Sequence, residues 1–141
     1  MPDHRTELLE ADRDLLLRLL RTPTAGPLET GPDGAAPQLW EAQHAYADAA
    51  AELGFVPIHH AAAAPEEVQR TDVPLAVSHA VATVPGFLAG QPSLVLRLGP
   101  PLTRAATVMF NVHLDTVAGL EPAGFDGVRF HGRGAIDAKG P

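Results

Sequence analysis

The run Val108-Met-Phe-Asn-Val112 constrains the fold of this chain more than any other stretch. It is apolar, and it leads straight into His113-Leu114-Asp115. Residues 106–112 read as a β-strand, and a strand alternates faces with a period of two. His113 and Asp115 would therefore point to the same side where the strand runs out. Strand ends in α/β sheets commonly carry catalytic or ligand-binding groups. A neutral imidazole is a good metal ligand, and a carboxylate on its other ring nitrogen fixes tautomer and orientation. A third polar group, Asp137, follows in the glycine-rich run Gly132-Arg-Gly-Ala-Ile-Asp-Ala-Lys-Gly140.

A single His-x-Asp is a weak signal, because many solvent-facing loops contain one by chance. The second block makes it specific. His113-Leu-Asp-Thr-Val117, followed by Phe125-Asp-Gly-Val-Arg-Phe-His-Gly-Arg-Gly-Ala-Ile-Asp-Ala-Lys-Gly140, resembles the dinuclear zinc peptidase and deacylase family. Glutamate carboxypeptidase, acetylornithine deacetylase, succinyl-diaminopimelate desuccinylase and aminoacylase belong to that family. The resemblance implies an α/β catalytic domain, a mixed sheet flanked by helices. It implies two divalent metal ions, zinc or alternatively cobalt. His113 would bind one metal, Asp137 would bridge both, and Asp115 would orient His113. Arg133 and Lys139 would be structural. The substrate implied is an N-acyl amino acid or small peptide, and the reaction is hydrolysis of its amide bond.

Two features depart from the family pattern. Val112 stands where a glycine often precedes the histidine. The segment between the blocks is short and lacks the usual proline after Asp-Thr-Val. Both bear on substrate specificity more than on metal binding. Family members are also much longer, and they carry a Glu-Glu pair, a further acid and a last histidine beyond the second block. Residues 1–141 are therefore expected to be the N-terminal portion of a catalytic domain, without the lid domain that often mediates dimerisation. The alternative is a non-catalytic remnant or binding module that keeps the fold without turnover.

Composition limits the partners. Ten basic residues against seventeen acidic ones give a net charge of −7, which argues against nucleic acid or an anionic membrane. There is no cysteine, so His and carboxylates are the strong metal ligands on offer. The first residues are polar, without the apolar stretch of a signal peptide. No apolar run approaches a membrane span. A soluble, cytoplasmic protein is the default expectation.

The rest of the chain reads as framework. Leucines at helical spacing predict a helix over 4–21, with Asp3 as N-cap and its apolar stripe packed in the core. Residues 22–37, rich in Pro and Gly, predict a long loop with no regular element. A second helix over 38–53 should bury Leu39, Ala42, Tyr46, Ala49, Ala50 and Leu53, with Gly54 ending it in a left-handed turn. Residues 55–58 read as an edge strand because of Pro57. His59 and His60 would face opposite sides of that strand and could not chelate one ion. Pro65-Glu-Glu-Val68 opens a helical turn, and 74–84 a third helix. Residues 93–98 and 106–112 predict an antiparallel hairpin feeding the site. Asp126-Gly127 marks a second hairpin.

Overall fold

The computed structural model describes residues 9–31, 36–115, 124–125 and 130–131. In chain order these form α1 (Glu10–Arg21), α2 (Pro27–Thr30), α3 (Leu39–Glu52), β1 (Phe55–Ala62), α4 (Leu75–Thr83), β2 (Pro92–Leu98), β3 (Gly124–Phe125) and β4 (Phe130–His131). Single 3-10 turns lie at Pro65–Val68, Leu88–Gly90 and Arg104–Ala106. Helices combined with antiparallel strand pairs place the chain in the mixed α and β class.

α1 starts later than the leucine pattern suggests. Leu9 precedes the first helical residue, and its backbone N–H donates to the Asp12 carboxylate at 3.1 Å. That bond satisfies a donor that a helix start leaves unpaired; Asp3, the expected N-cap, lies outside the described residues. None of its leucines is fully buried; Leu15, Leu17, Leu19 and Leu20 are half-buried. Thr22 stops the helix, with its N–H and its hydroxyl both donating to the Arg18 carbonyl at 3.0 and 2.8 Å.

The expected structureless loop contains one helical turn. Pro27 is pre-set for the first helical position, since its ring fixes φ and it lacks an N–H that would go unpaired there. Gly31 ends the turn at φ 82° with its N–H on the Pro27 carbonyl at 2.9 Å.

α3 is the central element. Its boundaries follow the sequence pattern, and Gly54 behind it takes φ 88°, a conformation costly for any residue with a Cβ. The buried face is Leu39, Ala42, Gln43, Ala45 and Ala50, while Tyr46 and Leu53 are exposed. The helix packs on β1 and β2 and also touches α1.

β1 and β2 pair antiparallel from Phe55↔Leu98 to Ala62↔Pro92. The register shifts between Pro57 and His59, leaving Ile58 as a bulge next to the proline that cannot donate to the ladder. β1 thus runs further than expected and includes both histidines. The expected hairpin of 93–98 with 106–112 does not form. β2 pairs with β1 instead, and 107–112 is in no strand. Its side chains point into solvent; Phe110 is 88% exposed. A strand exists only by sharing hydrogen bonds with a neighbour, and among the described residues nothing pairs with this run. In the second expected hairpin the strands pair, Gly124↔His131 and Phe125↔Phe130, while the turn expected at Asp126-Gly127 lies outside the described residues.

The buried positions on α3 and α4 are mostly small side chains. Ala42 and Ala80 are each 1% exposed. Alanines let helix and sheet approach closely, and they leave no slack for larger groups. Ala42→Leu should therefore cost about 1–3 kcal/mol by overpacking. Ala51→Leu, on the exposed side of the same helix, should stay within about 0.5 kcal/mol of the parent. Urea unfolding of the two variants against the parent checks the contrast.

Candidate metal centre

His113 and Asp115 lie beyond the 3-10 turn Arg104–Ala106, in an irregular segment. Strand alternation therefore does not align them, contrary to the sequence expectation. They meet by local folding back of the chain. His113 Nδ1 lies 3.0 Å from Asp115 Oδ1 and 3.2 Å from the Asp115 carbonyl oxygen. Both oxygens can only accept, the side chain being a carboxylate, so the contact places the proton on Nδ1. Nε2 then keeps its lone pair and is the nitrogen open to a metal. The side chains are 83% and 58% exposed, so solvent screens their attraction and the pair is held weakly.

Asp137, the expected bridging ligand, lies outside the described residues, as do Arg133 and Lys139. Among the described residues, no three His or acidic side chains gather in a geometry that could hold a metal ion. Glu66 and Glu67 sit on the turn Pro65–Val68, where Glu67 accepts the Ala64 N–H at 2.8 Å; that bond caps the turn. An open cleft of about 490 Å³ lies between α1 and the start of α3. Asp14, Arg18, Arg21 and Glu41 line it, two charges of each sign, and neither His113 nor Asp115 reaches it.

One grouping has no counterpart in the sequence reading. Trp40, His44 and His60 bring three rings together where α3 meets β1. Trp40 and His44 are spaced i, i+4 on a helix, which puts them on one face. That spacing is the only local signal; the partner on β1 follows from the tertiary packing.

In comparisons with protein-family models, curated proteins and solved structures, none matches the chain. The likeness to zinc peptidases therefore rests on the two sequence blocks themselves. No helix among the described residues is long and apolar enough to cross a membrane.

The contact between His113 and Asp115 has a spectroscopic consequence. Neutral His113 should carry its proton on Nδ1, seen in long-range ¹H–¹⁵N correlation spectra. In Asp115→Ala the proton should move toward Nε2. An unchanged tautomer in the variant would show that Asp115 does not orient the ring.

Proposed function

We propose that these residues belong to a metal-dependent amide hydrolase, a deacylase or exopeptidase acting on N-acyl amino acids or small peptides. The observation that carries the reading is the 3.0 Å contact from His113 Nδ1 to Asp115. It leaves Nε2 as the ligand atom, in the order His, carboxylate, metal that histidine sites favour. The donor set of imidazole and carboxylate suits zinc, with cobalt as a substitute. In this reading His113 and Asp137 would hold the metal. Asp115 holds the imidazole in one tautomer. Bound zinc would supply Lewis acidity toward the amide carbonyl and a water acidic enough to act near neutral pH. A glutamate acting as general base would carry the proton to the leaving amine. We place residues 1–141 in the N-terminal part of a peptidase-type catalytic domain.

A second reading, a binding module without turnover, is favoured by the ligand count. Among the described residues no three His or acidic side chains gather, whereas zinc sites usually use at least three ligands from protein.

Zinc titration by calorimetry tests the proposal on the chain itself. Asp115→Ala should weaken zinc by about 10–100-fold, the usual effect of removing a group that orients a ligand. Asp137→Asn should weaken it at least as much, because a bridging charge is lost. Glu66→Ala should change nothing. Equal losses from Asp137→Asn and Glu66→Ala would sink the assignment.

Residues 1–141 loaded with zinc or cobalt should not hydrolyse a panel of N-acyl amino acids and dipeptides. Among the described residues no acidic group gathers with His113 and Asp115 to serve as general base, and a missing base typically costs about 10²–10⁴-fold. Robust metal-dependent turnover abolished by Asp137→Ala would show that the ligand set is complete within these residues.

A further inference from the structure

The three rings at the junction of α3 and β1 are arranged around His60. Its ring centroid lies 4.7 Å from that of Trp40, tilted by 43°. It lies 4.7 Å from that of His44, edge-on at 72°. Trp40 is fixed in turn, since its indole N–H donates to the Ala89 carbonyl at 2.8 Å. Nε2 of His60 is shielded from water and has no hydrogen-bond partner among the described residues.

A neutral imidazole tolerates this position at modest cost. An imidazolium carries an N–H on both nitrogens, so protonation would bury a charged donor with nothing to accept from it. The groups facing His60 give no relief. α3 presents His44, and the adjacent residue on β1 is His59. Across the ladder stands Leu94, and Arg97 is opposite Val56, with its guanidinium donating to the Gly99 carbonyl. The turn Leu88–Gly90 has no ionisable side chain. Attraction of an imidazolium to the Trp40 face works the other way. It competes with the unmet N–H and with a second imidazole at the same distance.

We propose that the Trp40–His44–His60 cluster is a proton-operated latch between α3 and β1. With His60 neutral the rings stay packed and the helix is held on the strand. Protonation of His60 drives its ring from between Trp40 and His44, and the helix loosens. Burial first, then His44, then His59 lower the proton affinity of His60 below its ordinary value of 6.5. The opened chain therefore takes the proton more readily than the closed one. Stability from the latch is complete above pH 6.5 and is lost as the pH falls from there through the lowered folded value.

The chain contains a single tryptophan, so its emission reports on the latch directly. The 141-residue chain is titrated from about pH 8 to pH 5, the interval in which imidazole changes charge, with a urea midpoint measured at each pH. Below pH 6.5 the emission should shift to the red and the urea midpoint should fall. His60→Phe, which keeps a ring but cannot titrate, should abolish most of both changes. His44→Gln removes one repelling neighbour and should move the transition to higher pH. An unaltered transition in His60→Phe overturns the latch, and so does a parent chain whose emission and midpoint are flat. If His60→Phe does not fold, ring-proton NMR of the parent decides. A His60 resonance titrating below 6.5 in step with the emission supports the latch, and one titrating at or above 6.5 overturns it.

Discussion

Two hydrogen bonds from one helix face tie the described structure together. Gln43 Nε2 donates to the Pro92 carbonyl at 2.8 Å, and Trp40 Nε1 donates to the Ala89 carbonyl at the same distance. Both run from α3 to the segment that enters β2. Gln43 is buried, so its bond to a carbonyl at the start of the strand is shielded from competing water. With those points fixed, Ala42, Ala45 and Ala50 come into the interior, and β1 is held between the helix and β2. The hydrophobic contribution here is modest, because alanines bury little area each. Directional bonds therefore have a larger share in locating the helix than they would over a core of leucines.

Legibility in the sequence follows from how local each determinant is. α3, α4 and β2 were readable because helical spacing, Gly54, Pro74 and the Ser93-Leu-Val-Leu-Arg-Leu98 run are signals within a few residues. α2 is not legible, since a Pro-Gly-rich stretch reads as loop, although Pro27 suits a first helical position. The length of β1 is not legible because His59-His60-Ala61-Ala62 has no strand preference of its own. Pairing with Pro92–Leu98 extends it. A strand over 106–112 follows from apolarity alone, and apolarity does not supply a hydrogen-bonding neighbour. At the site, the closeness of His113 and Asp115 could be anticipated from their spacing, but the backbone that produces it is irregular. The ring cluster around His60 joins residues from two elements, and no motif announces it.

The candidate metal residues and the framework have different physical characters. α3 and the β1–β2 pair are cross-linked by buried or half-buried contacts. His113 and Asp115 stand in solvent beyond them, preceded by Val108, Met109, Phe110 and Val112, all exposed. In water an imidazole–carboxylate contact is readily exchanged. In a dry surrounding the same geometry holds a ligand firmly, because the local dielectric falls. The apolar run beside the pair is the material from which such a surrounding would be made.

The anchors of α3 also set an order of events during synthesis. Each spans 49 residues of chain, so the helix has neither of them until the segment around 89–92 exists. At about 5–20 residues per second, that is an interval of roughly 2–10 s in which α3 has emerged without its partners. The helix is short, and isolated helices of such length are marginal in water. Through that interval its apolar face is available to chaperones or to neighbouring chains. Slowing the ribosome between Leu53 and Leu88 would lengthen the exposure without changing a single contact of the finished fold.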